Sequence, residues 1–229
     1  MKKVLKQNEV TAIGKIVSKL EVNHEVFGEK MYVCDVEIER KSGQVDTIPT
    51  MISERLLEHD LGEYYGLMCK VCGTYKSYNI HPENGKSRCF LTIYADVFET
   101  ELDNEDLANG NFDYTKNDIH LIGYICKTPT FRITPRGREI ADCILAVNMP
   151  YGKSVYIPCI AWGKTARWLG RQEVSTCLEL FGRIQSRDYT KSYDNGESEI
   201  RTAYEVSIGK CRIFDEEYDK EGYFEDDNE

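Results

Sequence analysis

At 229 residues, with 41% hydrophobic and 30% charged side chains, the chain has material for two small cores rather than one large one. No run approaches the eighteen or more apolar residues of a membrane-spanning helix, and no apolar stretch follows the lysines of MKKVLKQNEV, so a soluble, cytosolic protein with no membrane partner is expected. The net charge of −10 argues against a nucleic-acid partner only if it is evenly spread, and it is not. Residues 1–98 hold 13 basic and 14 acidic side chains, 99–113 hold no basic and 6 acidic, 114–214 hold 15 and 10, and 215–229 hold 1 and 9. A cationic segment is thus fenced by two acidic ones.

In chain order, the first strand-like run is NEVTAIGKI at 8–16, and it returns as NDIHLIGYI at 117–125. At the same spacing of 109, Gly28, Cys34, Ile48, Pro49, Gly73 and Ser77 return as Gly137, Cys143, Ile157, Pro158, Gly182 and Ser186. Two copies of one unit, each roughly 100 residues, are implied. Both copies consist of short runs with period-two alternation, such as Tyr204, Val206 and Ile208, broken by Asn84-Gly85, Pro135-Arg136-Gly137 and Asn195-Gly196. Each also has one stretch of helical character before its last strands, SERLLEHDL at 53–61, where Ser53 can cap, and GKTARWLGR at 163–171. This predicts an all-β chain of tandem OB-folds, five-stranded Greek-key barrels each with one short helix. The expected divisions are barrel one at 1–99, an acidic linker at 100–116, barrel two at 117–214 and a disordered acidic C-terminal tail at 215–229. Nine cysteines, several within apolar runs (Cys34, Cys143, Cys159, Cys177), are read as reduced packing thiols.

The binding signal lies in the second copy. Along Val155–Trp162, Ile157, Cys159 and Ala161 point inward, so Tyr156 and Trp162 share the outer face. On the next strand Ile184 continues the inward face of Leu178 and Leu180, leaving Arg183, Arg187 and Tyr189 outside. Flat rings beside arginines suit a single nucleic-acid strand, which offers unpaired bases for stacking and phosphates for neutralisation. The competing reading makes these aromatics the closure of a barrel end or of a dimer seam.

The stretches IGYICKTPTFRITPRGREIADCILAVN, VYIPCIAWGKTARWL and LFGRIQSRDYTKSYDNG, in that order, resemble the bacterial single-stranded DNA-binding protein family. The resemblance implies base stacking on Trp162, Tyr156 and Tyr189, with Arg132, Arg136 and Arg138 of the first hairpin guiding the phosphate backbone. Lys164, Arg183 and Arg187 complete the expected cationic set. It further implies a homodimer that brings four barrels together, and replication or repair partners recruited through the acidic tail. The tail departs from the family pattern by ending EDDNE, with Tyr218, Tyr223 and Phe224 upstream of the last acids. At the 109 spacing the first copy has Ser53 for Trp162, Thr47 for Tyr156, Thr74 for Arg183 and Ile80 for Tyr189, with only Lys76 and Tyr78 of any binding character, so its expected role is structural.

Catalytic readings fail on residue pattern. Gly163-Lys164-Thr165 resembles the end of a phosphate-binding loop, but the required earlier glycine falls on Pro158. Cys69 and Cys72 have metal-ligand spacing, yet no second CxxC exists and core packing is expected for both. No cofactor, metal or catalytic residue is expected. Two alternatives stand: an RNA-binding or primosome-type OB protein, and a protein-interaction module whose acidic segments do the work.

Overall fold

In the computed structural model of the chain, residues 7–80, 88–100, 113, 115–192 and 197–215 are described. The first half consists of β1 (Asn8–Ile16), β2 (Glu21–Val26), β3 (Glu29–Glu39), β4 (Val45–Ser53), β5 (Met68–Ile80) and β6 (Arg88–Glu99). The second consists of β7 (Asn117–Ile133), β8 (Glu139–Met149), β9 (Lys153–Trp162), helix α1 (Gly163–Leu169), β10 (Cys177–Ser192) and β11 (Ser198–Ile213). All eleven strands form one continuous sheet, and the extra pairings β1 with β3 and β7 with β10 close each half into a five-stranded barrel. In the first barrel β1 and β2 together follow the path that β7 covers alone. The turns at Asn84-Gly85 and Asn195-Gly196, most of the expected acidic linker and the tail from residue 216 onward lie outside the described residues.

The repeat read from the sequence is carried by the cores. Tyr32, Cys34, Val36 and Ile38 of β3 alternate into barrel one, and Ala141, Cys143, Leu145 and Val147, each 109 further on, alternate into barrel two. Gly28 and Gly137 take left-handed φ values of 84° and 73° at matching hairpin turns, where a Cβ would be strained. A Cβ on Gly73 or Gly182 would fall 1.9 Å or 2.3 Å from the carbonyl oxygen of Tyr94 or Ser207, which explains why both copies hold glycine beside the bulge in the last hairpin. Side-chain clasps repeat too. Asn8 donates to the Tyr75 carbonyl at 2.7 Å and accepts from its N–H at 2.8 Å. Asn117 does the same to Ile184 at 2.7 Å and 2.9 Å. Each satisfies buried backbone groups that would otherwise be left unpaired.

β1 and β7 join the barrels in antiparallel register, with Val10 opposite Ile119, its own counterpart, Asn8 opposite Leu121 and Ala12 opposite Asn117. That register is symmetric about Val10 and Ile119. The barrels are therefore related by a local twofold axis, an isologous contact made within one chain.

Two local expectations change. The helical stretch expected at 53–61 shortens to a 3-10 turn at Glu54–Leu56: Ser53 caps it by accepting from the Arg55 N–H at 3.3 Å. The Tyr64 hydroxyl then takes the Glu58 and His59 N–H groups at 2.7 Å and 2.9 Å, holding them away from helical partners. Of the two cysteines expected in the core, Cys69 is buried, with its thiol pushed up to about 12 by burial. Cys72 instead lies partly exposed, its sulfur accepting from the Thr11 hydroxyl at 3.8 Å. Three positions apart on a strand, the two side chains leave by opposite faces and cannot share a metal ion.

Candidate nucleic-acid interface

β9 alternates as its sequence requires. Val155, Ile157, Cys159 and Ala161 are buried, whereas Tyr156 is 56% and Trp162 39% exposed. Six residues along a strand separate the two rings by about 20 Å, enough for several nucleotides. Cross-strand pairing extends this face, because directly paired residues project to the same side. Tyr156 pairs with Ala146, which pairs with Tyr124 of β7; Trp162 pairs with Ile140, which pairs with Arg132. Between those rows Ile144 joins Pro158 to Lys127. The outer surface of β7, β8 and β9 thus runs from Tyr124 and Tyr156 at one end to Arg132 and Trp162 at the other.

At the Trp162 end the surface enters a cleft of about 980 Å³ that Arg138, Arg183 and Arg187 also line. The Arg187 guanidinium sits 6.0 Å from the Tyr189 ring centroid, which brings the expected ring of β10 to the same end. Arg183 is half-buried; its Nε has no hydrogen-bond partner among the described residues, and its Nη2 reaches Gln185 Oε1 at 3.4 Å. Desolvation, and then the like charge of Arg40, push its pKa down from the usual arginine value. Arg187 lies 3.8 Å from Glu205, so the group short of acceptors in the cleft is Arg183, a setting that favours a bound anion beside it.

The structure gathers Trp162, Arg138, Arg183, Arg187 and Tyr189 at one end and leaves Tyr156 at the other. Arg132 lies on the same face but is held by Asp142 at 2.8 Å. Arg136 is exposed at the turn of the β7–β8 hairpin, outside the cleft lining, and Lys164 is exposed at the start of α1, two residues beyond Trp162. Tyr124 and Lys127 were missed in the sequence reading. The available signal was the pairing of β7 with β8, which register shifts at 125/127 and 127/130 obscure. Trp168, by contrast, packs partly buried against the core.

At the matching places barrel one offers little. Ser53 is buried as a cap, the Thr47 N–H donates to Ser186 Oγ at 3.1 Å, and Lys76 sits 4.5 Å above the Tyr94 ring with burial lowering its pKa. The Tyr78 side chain lies outside the described residues.

An OB-type barrel whose outer face carries exposed rings that run into arginines is the class that this fold and site define. The profile of the single-strand binding protein family matches residues 116–213. Single-stranded DNA-binding protein B of Bacillus subtilis is 30% identical over 106 residues, covering 43% of this chain and 90% of that protein. The single-stranded DNA-binding protein of Halalkalibacterium halodurans is 33% identical over 88 residues, covering 35% of this chain and 50% of its own length. On these matches the chain belongs to the single-strand binding protein family. It spans about half the length of the first curated relatives it matches. The crystal structure of wild-type single-stranded DNA binding protein from Thermus aquaticus shares the fold, with a TM-score of 0.68 and 16% identity over 91% of this chain and 93% of that one.

Proposed function

We propose that the chain binds single-stranded DNA with little sequence preference and without catalysis, in replication, recombination and repair. Bases stack on Trp162, Tyr156 and Tyr189, while Arg132, Arg136, Arg138, Lys164, Arg183 and Arg187 neutralise phosphates. Tyr124 and Lys127 extend the same path. The observation that carries this reading is the convergence of Trp162 with Arg138, Arg183 and Arg187 on one cleft at the end of an open, ring-bearing face. Rings stack on any base and arginines hold any phosphate, so affinity should depend on single-strandedness and on salt rather than on sequence. The occupied length is on the order of 4 to 16 nucleotides for the competent barrel.

The site acts in the cytoplasm, on the nucleoid, as part of a homodimer with four barrels. Support for the dimer is the outer face around the β1–β7 junction, where Phe181 is 45% exposed and stacks on His120 at 4.4 Å, and Val97 is exposed on the far flank. Sedimentation should give twice the 26.4 kDa chain mass. The acidic segment 215–229 is proposed to dock replication or repair proteins, on its charge and its aromatic residues alone.

The test is a titration of tryptophan fluorescence with oligo-dT, a matched duplex and a matched RNA at two salt concentrations. Trp162 is the exposed ring, so strong, salt-sensitive quenching by dT with weak response to duplex is expected. Equal or stronger binding of RNA would favour the RNA-binding alternative. A folded protein that no nucleic acid quenches would overturn the reading.

A further inference from the structure

The local twofold creates two clefts between the barrels, one on each side, and they are chemically unlike. On one side the β3–β4 turn of barrel one, with Arg40 and Gln44, faces Arg183 and Arg187 of β10, with Arg138 and Trp162 at the margin. On the other, the β8–β9 turn of barrel two, with Asn148, Met149 and Pro150, faces Thr74, Asp96 and Val97 in a smaller cleft of about 560 Å³. The 109 spacing carries Arg40 onto Met149 and Arg183 onto Thr74, so these are the same place in the two halves. The first cleft is lined by four arginines against the carboxylates Asp35 and Asp188; among the described residues the second has no lysine or arginine in its lining and holds Glu9 and Asp96.

Arg40 is held in place rather than free to follow solvent. Its Nε and Nη2 donate to the two oxygens of Asp46 at 2.6 Å and 2.5 Å, and its Nη1 donates to Gln44 Oε1 at 2.7 Å. Asp46, fully buried, also accepts the Ser186 N–H of barrel two at 2.8 Å, so the same carboxylate ties Arg40 to β10 across the barrel junction. Where barrel one has Arg40 with Asp46, barrel two has the apolar pair Met149 and Val155. A buried ion pair is weak grounds for stability compared with an apolar pair of similar shape. Here it fixes a planar guanidinium at the rim of a cleft whose opposite wall holds the under-satisfied Arg183.

Resting on the single-strand reading above, we propose that this cleft is a phosphate-binding passage by which the strand leaves Trp162 and crosses onto barrel one, with Arg40 as barrel one's phosphodiester contact. The opposite cleft, whose described lining holds Glu9 and Asp96, offers no matching arginine set for a second crossing. Barrel one then serves as one wall of the path.

The test uses the full chain and dT oligomers. Gln44→Glu puts a carboxylate on an exposed turn, and should weaken binding at low salt by roughly threefold to tenfold, an effect that salt removes. Gln7→Glu, the same change on the opposite cleft, should leave affinity unchanged. Arg40→Met with Asp46→Val, the pair barrel two carries, should lower the slope of log affinity against log salt by about 0.7. If thermal melting shows that the double variant is unfolded, Gln44→Glu decides alone. Wild-type affinity for Gln44→Glu, or equal weakening by Gln7→Glu, would overturn the passage. If Trp162→Ala weakens binding while Gln44→Glu does not, only the passage falls; if the unaltered chain does not bind dT at all, the single-strand reading falls with it.

Discussion

In barrel two, β9 ends on an exposed tryptophan, and the hairpin before it turns on Arg136. In barrel one the equivalent strand ends on Ser53, buried beneath its own 3-10 turn, and the equivalent hairpin tip is the fully exposed Phe27. Yet the inward alternation of β3 and β8, the glycines of the bulges and the asparagine clasps agree residue for residue. The difference separates two demands on one sequence. Closing a barrel fixes inward residues, bulges and buried hydrogen bonds, whereas stacking bases fixes only the outer face, and each set can change without the other.

Trp162→Ala should give the largest effect on that comparison, lowering affinity for oligo-dT by about 1–3 kcal/mol, roughly 5- to 150-fold, with the melting temperature kept. Unchanged affinity in titration would remove the ring from the path. The shared frame is tested by Asn8→Ala and Asn117→Ala, each expected to cost about 1–3 kcal/mol in denaturant unfolding because it strands a buried backbone N–H and C=O. A large cost in one barrel and none in the other would break the equivalence. Arg187→Gln should lower the salt slope of binding by about 0.7, the share of one phosphate contact.

The smallest effect belongs to barrel one. Lys76→Met should leave DNA affinity within about twofold, the range of a site that contacts nothing critical. Lys76 has a folded pKa below its unfolded one, because burial disfavours its charge. Its protonated form therefore opposes folding, and that cost fades as pH rises through the lowered value toward 10.5. Lys76→Met should remove this high-pH gain in the unfolding profile; a profile identical to wild type would contradict it.

The repeat, the barrels and the rings of β9 were legible because inward and outward faces alternate with period two, and a spacing of 109 lets one copy check the other. The outer partners of those rings were less so. Tyr124 and Lys127 reach the face through a β7–β8 pairing with two register shifts, which no local pattern reports. Arg40 was invisible for a different reason: its cleft forms only when Asp46 meets Ser186, 140 residues away. The stretch 53–61 reads as helix because its residues favour one, and only the Tyr64 hydroxyl, placed by the fold, takes its N–H groups elsewhere.

The central claim is that barrel two carries the strand and barrel one lends it only a wall. Ultraviolet cross-linking of the full chain to a photoreactive dT oligomer, followed by peptide mapping, tests it most directly. Adducts should fall on Tyr156, Trp162 and Tyr189, with barrel-one adducts confined to the β3–β4 turn around residues 40–47. Adducts spread over the outer face of barrel one, at Phe27 or Lys76, with Trp162 unmodified, would contradict the account.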